Sequence, residues 1–148
     1  MKILMVCLGN ICRSPLAHGV MEHLVNERGL PWEIDSAGTG GWHVGQQPDS
    51  RSIAVAKKYG VDISTQVCRK FNPRDFENFD HILVMDMNNL RDVSTLAGNE
   101  AELRKVRLFL KEGIVPDPYY DDDQFDEVYQ MIEKRCIELI DELKAPLS

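Results

Sequence analysis

The chain has 148 residues, a length that suits one domain with its own hydrophobic core. Hydrophobic residues make up 43% of it and charged residues 28%, as in ordinary globular proteins, and no apolar run approaches the ~20 residues of a membrane helix, so we expect no membrane partner. The net charge of −7, without any basic run, argues against nucleic acid as a partner.

The N-terminal residues lack the cleavage-site pattern of a signal peptide, so we expect an intracellular, cytoplasmic protein. The four cysteines are scattered rather than arranged as a disulfide framework, which agrees with a reducing compartment. The histidines show no metal-ligand spacing, and no nucleotide-binding motif ending in Gly-Lys-Ser/Thr occurs. The sequence therefore predicts neither a metal nor a cofactor.

The first predicted elements are a strand and a helix joined by a distinctive turn. Residues 1–6 form a short apolar run that predicts a buried strand, and apolar residues recur at helical spacing over residues 15–28. The turn between them, residues 7–15, has the sequence Cys-Leu-Gly-Asn-Ile-Cys-Arg-Ser-Pro. We expect Ser14 to cap the helix, because serine is a favoured N-cap residue.

A turn of this kind can bind an anion, because it points consecutive main-chain N–H groups inward at a helix N-terminus. Gly9 and Asn10 tolerate the backbone angles that such a loop requires. Arg13 offers a planar, bidentate partner for phosphate oxygens. Cys7 would lie at the bottom, where the field favours the thiolate, so a bound phosphate monoester would have a nucleophile beneath its phosphorus. The alternative is a plain turn with a buried, inert cysteine.

The rest of the chain alternates predicted strands and helices. A glycine-dense loop at residues 37–45 contains Trp42. Strands are predicted at residues 32–36, 81–85 and 106–110, and helices at residues 48–60, 72–76, 86–96 and 123–143. This alternation predicts a parallel, helix-covered α/β sheet in one domain spanning residues 1–148. Ligands of such sheets bind beyond the carboxyl ends of the strands, which is where the first turn lies.

Cleavage of a phosphoester by sulfur also needs a proton donor for the leaving oxygen. Asp117 is the first candidate because Pro116 and Pro118 stiffen its loop. A plain Asp-Pro turn is the alternative. Asp86 follows a predicted strand and is the second candidate, although a helix N-cap is its simpler role and would also let it brace Arg13.

Three aromatic residues are candidates for the walls of a binding pocket. Trp42 could accept a flat substrate ring, or it could simply anchor its own loop. Tyr119 and Tyr120 adjoin Asp117, and one of them could flank the same ring; the alternative is two tyrosines at the solvent edge.

Cys12 shares the first turn with Cys7. A loop curled around an anion could bring their Cα atoms within the ~7 Å that a disulfide allows, so oxidative inactivation is one interpretation and a small buried filler is the other. Cys68 and Cys136 are interpreted as structural.

Five stretches together resemble the low-molecular-weight protein tyrosine phosphatases: residues 7–15, 36–39, 42–45, 84–91 and 117–120. They extend along the chain and are far more specific than the first turn alone. The resemblance implies a three-layer α/β fold, with a four-stranded parallel sheet flanked by helices on both faces and a phosphate-binding loop between the first strand and the first helix.

The resemblance also implies roles for individual residues. Cys7 would be the nucleophile, Arg13 the phosphate-binding residue and Asp117 the general acid. The substrate-binding residues would be Leu8, Gly9, Asn10, Ile11, Cys12, Ser14, Trp42 and Tyr119, with Asp86 and Tyr120 in support. Within this set, Asn10 would hold the shape of the loop, Ser14 would hydrogen-bond the thiolate, and Asp86 would orient Arg13.

Further expectations come from the same resemblance. Cys12 matches the second loop cysteine of the family, which favours redox regulation. Tyr119 and Tyr120 match positions that are phosphorylated in some members, so a tyrosine kinase is a further candidate partner. His18 departs from the pattern, since many members carry Glu there, and we expect little effect on the chemistry.

The sequence therefore predicts hydrolysis of phosphotyrosine in proteins, or of small aryl phosphates, through a cysteinyl-phosphate, with phosphate and vanadate as ligands. One alternative is an arsenate reductase of the same fold, which would need further cysteines; Cys68 has no neighbouring cysteine and Cys136 lies on a predicted helix. Another is a non-catalytic phosphotyrosine-binding or redox-sensing module. Asp117 argues against that module, because binding alone needs no acid.

Overall fold

A computed structural model describes residues 1–144 of the chain. In chain order, the elements are β1 (Lys2–Cys7), α1 (Arg13–Glu27), β2 (Glu33–Gly38), α2 (Ser50–Lys58), α3 (Asp75–Asn78), β3 (His81–Val84), α4 (Met87–Ser94), α5 (Glu100–Leu103), β4 (Val106–Leu108) and, after a 3-10 turn at Asp122–Gln124, α6 (Phe125–Lys144). None of the helices in this range combines the length and the apolar character that crossing a membrane requires.

The four strands form one parallel sheet in the order β2-β1-β3-β4. Side chains alternate between the faces of a strand, and β1 divides its residues accordingly. Ile3 and Met5 belong to the core that includes α1 and α6, whereas Leu4 and Val6 pack with residues around α3 and α4. The predicted three-layer α/β fold is therefore confirmed, and Cys7 lies at the carboxyl end of a central strand.

The start of α1 corrects one prediction. The helix begins at Arg13, its N-cap is Cys12, and no side chain caps it. Ser14 is thus inside the first turn and not its cap. Its hydroxyl contacts the sulfur of Cys7, whereas the hydroxyl of a capping serine would accept a hydrogen bond from a main-chain N–H of the helix.

The ends of several elements also differ from the prediction. β2 extends to Gly38 because this residue pairs with Cys7 on one side and bridges to Lys70 on the other. No helix was predicted between residues 96 and 106, because Gly98 and Asn99 are typical of the end of a helix, yet α5 lies there. Asn99 is in fact its N-cap and accepts a hydrogen bond from the main-chain N–H of Glu102 at 2.8 Å.

Candidate active site

The Cys7 sulfur is buried and surrounded by hydrogen-bond donors. The main-chain N–H of Asn10 donates to the sulfur at 3.3 Å, and the Ser14 hydroxyl oxygen lies 3.0 Å from it. The side-chain N–H of Asn10 donates to that hydroxyl oxygen at 2.8 Å, so the hydroxyl hydrogen can point to the sulfur. Donors of this kind stabilise a thiolate more than a thiol.

The loop between β1 and α1, residues 8–12, presents main-chain donors around this sulfur. The N–H groups of Gly9, Ile11 and Cys12 have no hydrogen-bond acceptor in the part of the chain that the structure describes. They stand at the N-terminus of α1, where the helix dipole favours negative charge. The loop is thus suited to receive the oxygens of an anion.

Asn10 holds the loop in this shape. Its φ of 57° is the one positive value among the non-glycine residues described. Its side-chain carbonyl accepts a hydrogen bond from the N–H of Arg69 at 2.9 Å, and its main-chain carbonyl accepts one from the Cys68 thiol at 2.8 Å. Residues 68–69, more than fifty positions away in sequence, therefore fix the loop from outside.

Arg13 is buried beside the loop and is held by two acceptors. One guanidinium nitrogen donates to a carboxylate oxygen of Asp86 at 2.6 Å and to the carbonyl of Val115 at 3.1 Å. The other terminal nitrogen lies 3.7 Å from a carboxylate oxygen of Asp117. Burial opposes the guanidinium charge, but Cys7, Asp86 and Asp117 together raise the pKa of Arg13 above its usual value. Asp86 also caps α4, accepting from the N–H of Asn89, so both of its predicted contacts occur.

The Asp117 carboxylate lies at the mouth of the site. Its side chain is 38% exposed, and one of its oxygens accepts a hydrogen bond from the N–H of Tyr119 at 3.1 Å. Arg13 lies on one side of it and the solvent on the other. This position allows the carboxyl group to exchange protons with water and to reach a ligand above Cys7.

These residues surround a pocket of about 310 Å³. It is lined by Cys7, Leu8, Gly9, Ile11, Cys12, Arg13, Trp42, His43, Asp117, Tyr119 and Tyr120. Trp42 is 69% exposed, and the Tyr119 and Tyr120 rings meet edge to face at 4.9 Å. The aromatic rings thus stand at the entrance, with the sulfur at the bottom.

The structure brings the predicted residues together in two layers. Ten of the eleven lining residues were predicted from the sequence, the exception being His43. Asn10, Ser14 and Asp86 do not line the pocket. Asn10 and Ser14 hydrogen-bond the sulfur of Cys7, and Asp86 accepts a hydrogen bond from Arg13.

Several supporting residues were missed. Arg69 was not singled out, and Cys68 was interpreted as structural without its partner being predicted, because the contacts of both residues with Asn10 join distant parts of the chain. Gly38 could have been suspected from the glycine-dense stretch. A Cβ atom there would lie 2.9 Å from the carbonyl oxygen of Leu8 and 3.0 Å from the nitrogen of Asn10, so only glycine fits.

The four cysteines are free thiols. Burial, together with Asp49 and Cys7, raises the pKa of Cys12. Burial and the nearby Cys7 raise the pKa of Cys68 to about 11. Both groups therefore stay protonated near neutral pH. Among residues 1–144, no cluster of three or more His, Cys, Asp or Glu side chains could hold a metal ion.

Comparison with known proteins places this geometry in context. The sequence model of the family described as "Low molecular weight phosphotyrosine protein phosphatase" matches residues 2–148. A human protein of that name is 39% identical over 145 residues, covering 91% of this chain and 90% of that protein. The crystal structure of a protein tyrosine phosphatase from Entamoeba histolytica, with Hepes in its active site, has a TM-score of 0.91 at 38% identity, covering 97% of each chain. A Drosophila arginine phosphatase also has a TM-score of 0.91, at 33% identity, covering 99% of this chain and 100% of that one.

Proposed function

Since the chain belongs to the low molecular weight phosphotyrosine protein phosphatase family, we propose that residues 1–148 form one domain that hydrolyses phosphotyrosine through a cysteinyl-phosphate. Family membership makes the chain a protein-tyrosine phosphatase. The route of the reaction is inferred from the positions of Cys7, Arg13 and Asp117.

In the first step the Cys7 thiolate attacks phosphorus. The S–P bond forms while the bond from phosphorus to the phenolic oxygen breaks. Asp117, in its protonated form, gives its proton to that oxygen, so the leaving group departs as a neutral phenol. Arg13 and the free N–H groups of the loop stabilise the charge that develops on the equatorial oxygens.

In the second step water attacks the cysteinyl-phosphate. Asp117, now a carboxylate, takes the proton from the water, the S–P bond breaks, and inorganic phosphate is released. The electron pair returns to Cys7, whose thiolate is stabilised by the N–H of Asn10 and the hydroxyl of Ser14. No metal or cofactor takes part in this route.

One observation carries the proposal. The Cys7 sulfur lies at the floor of a pocket whose walls include Arg13 and whose mouth holds Asp117. A nucleophile, an anion-binding group and a proton donor are therefore in reach of one bound phosphate ester. A module that only binds phosphotyrosine would need no carboxyl group at this position.

The first test is an aryl phosphate assay with orthovanadate as inhibitor. Replacing Cys7 by Ser should abolish turnover while inorganic phosphate still binds, because the loop donors and Arg13 remain. Cys136→Ala, which removes a buried thiol that does not line the pocket, should keep its activity. Turnover by Cys7→Ser at the wild-type rate would refute the role of the sulfur.

Phosphoarginine is a second candidate substrate, since a similar structure is that of an arginine phosphatase. The pocket walls favour phosphotyrosine, because Leu8, Ile11 and Trp42 suit a flat apolar ring better than a guanidinium group, which needs acceptors. We expect kcat/KM to be at least ~10-fold higher for a phosphotyrosine peptide than for phosphoarginine. The opposite ratio would assign the pocket to phosphoarginine.

Three regulatory and cellular features belong to the same proposal. Cys7 and Cys12 line one pocket and are free, which supports a reversible disulfide formed by peroxide. Tyr120 is 92% exposed, which supports its recognition by a tyrosine kinase. The free thiols also agree with a cytoplasmic location.

A further inference from the structure

Arg51, which lies outside the pocket, is locked in place by Asp49. The Asp49 carboxylate accepts hydrogen bonds from the Arg51 main-chain N–H at 2.8 Å and from two guanidinium nitrogens at 2.9 Å and 2.8 Å. Asp49 is also the N-cap of α2, and its own N–H donates to the carbonyl of Ile11 at 2.8 Å. The hydrogen bonds with Arg51 lower the pKa of Asp49. This pair is therefore fixed to the loop that surrounds Cys7.

The remaining guanidinium nitrogen of Arg51 reaches the segment that carries the general acid. It donates to the main-chain carbonyl of Tyr119 at 2.9 Å and to a carboxylate oxygen of Asp122 at 2.5 Å. The guanidinium carbon lies 5.3 Å from the centre of the Tyr119 ring and 4.6 Å from that of Phe125. One side chain thus joins α2 to the loop before α6 through polar and cation–π contacts.

Tyr119 connects these contacts to Asp117. Its N–H donates to the Asp117 carboxylate at 3.1 Å, while its carbonyl accepts from Arg51. The main-chain N–H of Tyr119 is therefore fixed by Asp117, and its main-chain carbonyl is fixed by Arg51. Loss of the bond to Arg51 would let Tyr119 turn, and the carboxylate of Asp117 would lose a fixed orientation.

We infer that Arg51 is a positioning residue that holds Asp117 where it can protonate the leaving oxygen. This inference rests on the proposed function. Arg51 contacts neither the Cys7 sulfur nor the inward-facing N–H groups of the loop between β1 and α1. Its loss should therefore weaken proton donation by Asp117 and leave phosphate binding unchanged.

Leaving-group dependence tests this role. An ester of a weakly acidic phenol, such as phenyl phosphate, needs the proton, whereas a dinitrophenyl phosphate leaves without it. For Arg51→Ala we expect kcat/KM to fall ~10–100-fold with phenyl phosphate but less than ~3-fold with the dinitrophenyl ester. Inhibition by inorganic phosphate should be unchanged, which also reports that the variant is folded.

Lys58→Ala is the matched control. Lys58 lies on the same helix and makes a 2.8 Å ion pair with Asp126 on α6, but it does not contact the Asp117 loop. In this variant the ratio of kcat/KM for phenyl phosphate to kcat/KM for the dinitrophenyl ester should equal that of the wild type. Arg51→Lys keeps the charge but cannot serve Asp49 and Tyr119 together, so its ratio should be intermediate; it decides the question if Arg51→Ala does not fold.

A double variant shows whether Arg51 acts through Asp117. If it does, Arg51→Ala adds no more than ~2-fold to the loss already caused by Asp117→Asn with phenyl phosphate. Equal losses for both esters, no loss for either, or fully additive losses would overturn the inference. A wild-type enzyme that hydrolyses neither ester would instead overturn the proposed function.

Discussion

At the scale of single residues, Asn10 does three tasks at once. Its main-chain N–H donates to the sulfur of Cys7, its side-chain amide donates to Ser14, and its side-chain carbonyl accepts from Arg69. It does so with a left-handed φ of 57°, which asparagine tolerates better than most residues. Its backbone conformation and its hydrogen bonds are separable by substitution.

Two replacements of Asn10 should separate these contributions. Asn10→Gly loses the side-chain hydrogen bonds to Ser14 and Arg69 but tolerates the left-handed φ. Asn10→Ala loses the same hydrogen bonds and, in addition, disfavours the left-handed φ. We expect the alanine variant to be less stable than the glycine variant by about 1 kcal/mol, measured by urea unfolding. Both variants should lose turnover, because the donors around the sulfur are no longer fixed. Equal stabilities would show that the φ value carries no strain.

At the scale of elements, the end of β2 and the segment around residues 68–71 support the β1–α1 loop. The N–H of Gly38 donates to the carbonyl of Arg69 at 2.9 Å, and the N–H of Phe71 donates to the carbonyl of Gly38 at 2.7 Å. Gly38 therefore lies between this segment and the loop, where a side chain has no space.

The strand-loop-helix unit was predictable because its signals are local. An apolar run, a glycine, Ser-Pro and helical spacing follow one another within 28 residues. The contacts of Cys68 and Arg69 with Asn10 were not predictable, since the residues 61–71 show no periodicity and the contacts span the chain. The role of Ser14 as a cap was predicted wrongly, because its hydroxyl makes its hydrogen bonds with Cys7 and Asn10 in the preceding loop and not with a main-chain N–H of the helix.

Gly38→Ala tests the support from β2. Its Cβ would meet main-chain atoms at 2.9–3.0 Å, which cannot move aside as a side chain would, so the loop must shift. We expect turnover to fall at least ~10-fold, because a shift of this kind misplaces the donors around phosphate. Gly41→Ala is the control: its Cβ would have no neighbour closer than 3.6 Å, and its turnover should stay near that of the wild type. Equal activities would show that the loop tolerates displacement.

At the scale of the whole molecule, buried groups that ionise at alkaline pH limit stability. Burial raises the pKa of Cys12, Cys68, Cys136 and Tyr129. The folded state keeps these protons at a pH where the unfolded chain has lost them. The unfolded state then binds fewer protons, so the free energy of unfolding falls as pH rises.

The alkaline loss of stability should begin near the unfolded thiol pKa of ~8.5, at ~1.4 kcal/mol per pH unit for each buried thiol. Urea unfolding across this range should show a shallower slope for Cys136→Ala than for the wild type. Val128→Ala removes an equally buried, non-ionisable side chain from the same helix and should keep the full slope. An unchanged slope in Cys136→Ala would show that this thiol ionises equally in both states.

The attack of the Cys7 sulfur on phosphorus is the central step, and trapping the phosphoenzyme tests it most directly. The enzyme is mixed with an aryl phosphate, denatured rapidly at neutral pH, digested and analysed by mass spectrometry. With a dinitrophenyl phosphate, whose leaving group needs no proton, Asp117→Asn can still complete the first step but lacks the base for the second, so it should accumulate the intermediate. We expect one phosphoryl group on the peptide that contains Cys7, and none after Cys7→Ser. Turnover without phosphorylation of Cys7, or with the phosphoryl group on another residue, would contradict it.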